Sequence, residues 1–178
     1  MRSALSALAL AAAAMAVAAP RAQAAAPRCA PFTTAQFRGE VPTPKAVLGI
    51  DLGERDVTTQ ESDRYLLAVD AASDRVTSGV LATSVEGRPL RYAIVGRPER
   101  VTITGLAAVR ASAAKLMDPG TTAREAARIA ASDPAILWIA GNVHGGEESG
   151  TDASLRVLHE LADRGDCAAK QILDAAIV

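Results

Sequence analysis

The run Ala135-Ile136-Leu137-Trp138-Ile139-Ala140, closed by Pro134 before it and Gly141 after it, restricts this chain more than any other segment. Six successive apolar residues offer both faces of a strand to nonpolar surroundings. The segment therefore predicts a central strand covered by helices, with Trp138 in the core. The loop that follows, Gly141 to Glu148, holds His144, one of only two histidines, three positions ahead of Glu147. Ligands of open α/β sheets bind beyond the carboxyl ends of the strands. An imidazole and a carboxylate on a tight loop there can converge on one ion, and zinc accepts both donor types. Gly145 and Gly146 let such a loop bend without Cβ clashes. The bland reading is a hydrogen-bonded loop histidine beside a solvated glutamate.

The rest of the chain reads as alternating helix and strand. Thr58 and Glu61 have the spacing of a capping box, and Tyr65, Leu66 and Val69 form a buried stripe behind them. Arg75 to Ser84 and Leu90 to Val95 read as an antiparallel hairpin about a Gly- and Pro-containing turn at residues 85–89. Glu86-Gly87-Arg88 there is turn chemistry and surface charge. An Ala-rich helix from about Leu106 to Leu116 precedes a second helix that Thr122 and Glu125 cap and that runs through Ala131. Beyond the loop, Ser149 or Thr151 is expected to cap a helix bearing Leu155, Leu158 and Leu161. On that helix His159 is expected to be exposed and too far along the axis to join His144, with Glu160, Asp163 and Asp166 as solvated charges. The closing stretch, Ile172 to Val178, turns apolar again and is expected to leave a sheet edge uncovered. These elements give an α/β class, a mixed sheet flanked by helices.

The first residues are an address. Arg2, the apolar stretch Ala4 to Ala19 and Ala22-Gln23-Ala24 have the pattern of a secretory signal peptide over residues 1–24. The apolar stretch falls short of the ~20 residues a membrane span needs, so no stable membrane anchor is expected after cleavage. Residues 25–46, rich in Ala and Pro, read as an extended arm, and residues 47–178 as the folded portion. Loss of Arg2 and Arg21 moves the formal net charge from −1 to −3. A slightly acidic chain with 3% aromatic residues lacks both the basic field and the stacking surface of a nucleic-acid binder. Cys29 and Cys167 are the only cysteines; in an oxidising compartment they form either one disulfide or two unpaired thiols.

Neither H-E-x-x-H nor H-x-x-E-H occurs, since Glu148 stands where a second histidine would be. A P-loop and a G-x-S-x-G elbow are absent as well. The segment "GNVHGGEESGTDASL" resembles the first metal-binding segment of the zinc metallocarboxypeptidases, the carboxypeptidase A-like peptidases. "VLGIDLGERDVTTQESDRYLLAV" and "ASDRVTSGVLATSVEGRPLRYAIVG", with Pro98-Glu99 after them, look like the N-terminal portion of the exported bacterial branch. The resemblance begins at about Val47. It implies a truncated carboxypeptidase-like fold in which His144 and Glu147 are two ligands of one Zn²⁺ ion. It further implies zinc-assisted hydrolysis of peptide substrates, in the periplasm or outside the cell.

The resemblance is incomplete. Gly146 stands where pancreatic-type members carry an arginine, so it does not extend to the oxyanion contact which that residue makes. Glu148 replaces a proline common in the bacterial branch. The third ligand, the carboxylate-binding residues and the general base are expected beyond Val178, which makes the 178-residue chain an inactive N-terminal portion on this reading. Two alternatives remain open: a zinc deacylase of the aspartoacylase type, and a non-catalytic secreted binding protein.

Overall fold

The computed structural model describes Cys29 and residues 35–178 with the exception of Val143. The expected signal peptide and residues 25–28 and 30–34 of the arm after it lie outside the described residues. The hairpin is present: β1 (Val76–Thr83) pairs antiparallel with β2 (Pro89–Val95). The register runs from Val76 opposite Val95 to Thr83 opposite Pro89, with an irregularity between Val80 and Ala82. Ser84 and Arg88 close the turn, and Gly87 takes the left-handed backbone it needs, at φ 79°.

A second pair is parallel, β3 (Ala135–Ile136) beside β4 (Ala176–Ile177). Two backbone bonds join the pairs. Val95 N–H donates to the Val178 carbonyl at 2.7 Å, and Val178 N–H donates back to Val95 at 2.9 Å. Such reciprocal exchange marks an antiparallel residue pair. On its other side Ile177 accepts from Leu137 N–H at 2.9 Å. The strands therefore lie in the order β1, β2, β4, β3. The closing apolar stretch, expected to leave an edge uncovered, is an inner strand, and among the described residues the edges are β1 and β3.

That order corrects the reading of the apolar run. Only Ala135 and Ile136 are strand; Ile136, Leu137 and Ile139 are each about half exposed, and Trp138 is 71% exposed. Among the described residues no strand lies on the outer side of β3. The helices that pack on the sheet, α2 (Thr59–Ala72) and α5 (Ser149–Asp163), lie over β1 and β2 instead. Consecutive apolar residues report what a strand is able to bury, not whether covering elements stand over it.

α2 starts as expected. Thr58 Oγ1 accepts from Glu61 N–H at 3.3 Å, and the Glu61 carboxylate accepts in return from Thr58 N–H at 3.0 Å. The Arg55 guanidinium grips the same carboxylate and, with Thr58, holds its pKa down to about 2. Tyr65, Leu66 and Val69 meet Leu155, Leu158, Leu161 and Ala162 of α5, with Val76, Val95 and Leu173 completing one core. Each such aliphatic side chain contributes about 1.5–3 kcal/mol on burial. α6 (Cys167–Ala175) returns the chain from α5 to β4, so β3, the two helices and β4 make a crossover unit. α1 (Pro44–Leu48) is a short turn of helix at the end of the arm. α3 (Ile103–Met117) buries no side chain and lies against α4 (Ala123–Ser132), which buries only Ile129. None of the described helices is long and apolar enough to cross a membrane.

The arm is fastened to the corner between α5 and α6. Asp163, expected to be solvated, is 1% exposed, and its carboxylate accepts from the backbone N–H groups of Gly39, Glu40 and Val41 at 3.0, 2.9 and 3.2 Å. Three charge-assisted bonds offset the cost of burying that charge. Asp166 caps α6 through Ala169 N–H and takes Arg164 Nε at 2.7 Å, which holds its carboxyl well below the usual range. Glu160 bridges Arg156 and the buried Arg164. Arg75, just ahead of β1, donates to the Arg164 carbonyl at 2.6 Å. Cys29 and Cys167 are joined as a disulfide with Cα atoms 5.5 Å apart, closing a sequence separation of 138 residues. A native bridge of this kind is worth roughly 2–5 kcal/mol.

His159 is buried as well, at 6% exposure, with its ring stacked 5.2 Å from Phe37 and Tyr65 beyond. Leu155, Leu158, His159 and Ala162 follow the spacing of one helical face, and the arm covers that face. Burial holds the His159 pKa below its ordinary value, an effect that Asp163 and Glu160 only partly counter. The unfolded chain therefore binds the proton first as the pH falls. The contribution of neutral His159 is complete above about pH 6.5 and declines below it, toward the lower folded value. Thermal melts should show Tm falling between about pH 7.5 and pH 5, with a shallower slope for His159→Phe. Equal slopes in the two proteins would remove His159 as the cause. Trp138, the single tryptophan, gives a second check: its fluorescence should be red-shifted and readily quenched by acrylamide. A blue-shifted, protected emission would place it in a core after all.

Candidate functional site

The loop between β3 and α5 begins at Gly141, passes Asn142, His144 and Glu147, and enters the helix at Ser149. Its second half is a chain of short turns. Glu147 N–H donates to the His144 carbonyl at 3.0 Å, Gly150 to Glu147 at 3.1 Å and Thr151 to Glu148 at 3.2 Å. The N-cap residue is Glu148, in right-handed helical backbone with no side-chain cap bond. The expected caps, Ser149 and Thr151, are already inside the helix. The consecutive turns make a cap unnecessary, because they lead the chain into helical geometry before α5 starts.

His144 and Glu147 are both exposed. The Glu147 carboxylate Oε2 lies 3.4 Å from the His144 backbone nitrogen, beyond the usual N–H···O range of about 2.7–3.2 Å. The carboxylate thus folds back toward the histidine's own residue with little to hold it there. Glu148 meets Asp56, whose hydrogen bond and negative charge push the Glu148 carboxyl up. In the first turn of α5, Asp152 Oδ2 accepts from Gly53 N–H at 2.8 Å, and its Oδ1 is buried with no partner. The surroundings of the loop are rich in carboxylates, a field that favours a cation.

His144 and Glu147 are of the right donor types for zinc, an imidazole nitrogen and a carboxylate oxygen. Their number is one short of the three protein ligands that catalytic zinc sites use. Among the described residues no group of three or more His, Cys, Asp or Glu is placed to hold a metal. His159 is in the core against Phe37, and the two cysteines are bonded to each other.

The glycines of the loop divide in an unexpected way. Gly145 and Gly146 both have negative φ, and a Cβ on either would meet nothing within 4 Å. They are not required for the bend. Gly141 and Gly150 are: a Cβ at Gly141 would fall 2.7 Å from the Gly150 carbonyl oxygen, and one at Gly150 would fall 2.8 Å from Asn142 N. Asn142 itself has φ 54°, the one non-glycine among the described residues with positive φ. Sequence reasoning passed over these three residues. The available signal was Gly150, a poor helix former in a first turn otherwise suited to helix.

A family model described as zinc carboxypeptidase matches residues 63–177. The matched span takes in most of α2, the hairpin, the crossover unit and the loop with His144 and Glu147. No curated protein and no solved structure matches the chain.

Since neither glycine of the His-Gly-Gly-Glu turn is sterically required, Gly145→Ala and Gly146→Ala should leave the protein as stable as before or raise its stability by about 0.4–1 kcal/mol. Denaturant titration measures this directly. A loss of more than about 1 kcal/mol in either variant would mean that the turn is not as described.

Proposed function

The chain belongs to the zinc carboxypeptidase family, and on that premise we propose that it is the zinc-holding part of an exported metallocarboxypeptidase that hydrolyses peptide bonds. His144 and Glu147 are two of the protein ligands of a single Zn²⁺ ion. The observation that carries the reading is the position of the loop: it lies within the matched span, after the parallel strand β3 and before α5.

When bound, the zinc ion supplies polarisation of the scissile carbonyl and an activated water. The chain's own residues supply the lone pairs and the electrostatics. A neutral imidazole and an ionised carboxylate are needed for ligation, so uptake releases protons and weakens as pH falls. Glu148, Asp56 and Asp152 add negative potential around the loop without replacing a ligand. Among the described residues no third His, Cys, Asp or Glu is placed with His144 and Glu147 to hold a metal, so the 178-residue chain by itself is not expected to turn over peptide. Export is supported by the signal-peptide pattern and by the Cys29–Cys167 bridge, which belongs to oxidising compartments. A peptide or peptide-like molecule is the substrate that the family indicates.

Isothermal titration of the purified chain with Zn²⁺ should give one-to-one uptake in the micromolar range. His144→Ala and Glu147→Gln should each weaken it by about tenfold or more, 1.4 kcal/mol per decade, while His159→Phe leaves it unchanged. Absence of uptake, or uptake indifferent to His144 and Glu147, would refute the assignment. In a peptidase assay the zinc-loaded chain alone should show no turnover; measurable hydrolysis that is lost in His144→Ala would show that the donor set is larger than described.

A further inference from the structure

The loop that carries His144 and Glu147 is closed at its base. Gly141 leaves the apolar run, Gly150 is the second residue of α5, and a Cβ built on Gly150 would lie 3.5 Å from Gly141 Cα. On the other side, a Cβ on Gly141 would strike the Gly150 carbonyl oxygen and Ser154 Oγ, at 2.7 and 2.8 Å. Ser154 Oγ donates to that same carbonyl at 2.8 Å, fixing its direction. Eight residues therefore leave and return through a contact that only glycines permit, with the histidine and glutamate at the tip. This is the form of an Ω-loop, whose ends meet.

Three further observations show that the contact is a constraint on the loop and not incidental crowding. Glycine inside a helix is disfavoured relative to alanine, yet Gly150 occupies the first turn of α5. Asn142 is held in left-handed backbone, a region that asparagine tolerates and β-branched residues do not. Its Oδ1 is buried without a hydrogen-bond partner, and a Cβ on Gly150 would fall 2.6 Å from it. The chain accepts an unfavourable helix residue, an uncommon φ and an orphaned carbonyl oxygen at one point.

We propose that Gly141, Asn142 and Gly150 form a backbone clasp that positions His144 and Glu147 for their shared ion. The three are positioning residues and touch neither metal nor substrate. The clasp rests on the zinc reading above only for what it positions; its existence is a property of the loop. It acts by fixing where the loop leaves the sheet and where it joins α5. The turn between His144 and Glu147 then forms between two ends whose positions are set. Forcing the base apart by one methyl group displaces both ligands relative to each other, although neither is altered.

Two measurements on the full chain test this. In hydrogen exchange, the Glu147 amide, which donates to the His144 carbonyl, should exchange about tenfold faster in Gly150→Ala and Gly141→Ala, with the amides of α2 unchanged. In Zn²⁺ titration, those two variants and Asn142→Val should bind about tenfold more weakly, whereas Asn142→Gly, which keeps positive φ accessible, and Gly146→Ala should stay within about twofold. Thermal melts confirm that each variant is folded, and Asn142→Gly provides the conservative rescue. Wild-type exchange at Glu147 in Gly150→Ala would overturn the clasp, as would wild-type zinc affinity in that variant. If the unaltered chain takes up no zinc, the metal assignment fails, and the exchange result decides the clasp by itself.

Discussion

Val95 and Val178 exchange their backbone hydrogen bonds, and the architecture of the whole sheet depends on that pair. Without it the hairpin and the parallel pair are two separate ribbons, each too small to be stable alone. With it they become one mixed sheet in which the late strand β4 is internal and β3 takes the edge. The crossover through α5 and α6 then has a fixed start and end. α5 is laid over the hairpin beside α2, where its leucines meet Tyr65 and Val69. The first turn of α5 is thereby brought back against the residues that follow β3. The loop with His144 and Glu147 spans that gap, so its placement follows from the sheet order.

Much of this architecture is legible in local sequence because local physics decides it. Thr58 and Glu61 satisfy each other's backbone groups three residues apart, and the hairpin turns where glycine and proline permit. What is not legible depends on distant partners. Asp163 reads as a solvated charge until the backbone of residues 39–41, more than 120 positions earlier, wraps around it. His159 is different: its place on the face of Leu155, Leu158 and Ala162 was visible in the spacing, and only the covering ring of Phe37 was hidden. Trp138 misleads for the opposite reason. Its run is apolar enough for a core, but α2 and α5 pack elsewhere.

The candidate site shows the same division. His144 and Glu147 stand out by residue type and spacing, and their loop does lie between a strand and a helix, but that strand is an edge that ends at Ile136 and not the central one expected. The glycines next to the histidine, conspicuous in the sequence, have open space around them. The glycines that matter sterically lie outside the motif, at Gly141 and Gly150, because close approach is a relation between two segments and leaves no pattern within either. The zinc carboxypeptidase model spans this loop, whereas the sheet and the loop base explain how the chain brings the loop back to α5.

We propose that one imidazole and one carboxylate of this loop share a single zinc ion, and X-ray absorption at the zinc edge of the loaded chain reads the neighbours of that ion. Scattering from one histidine ring is expected, with a Zn–N distance of about 2.0–2.1 Å, together with oxygen neighbours and no sulfur, and the ring signal should be lost in His144→Ala. A spectrum with two imidazoles, with sulfur, or with a ring signal that survives removal of His144 would contradict it.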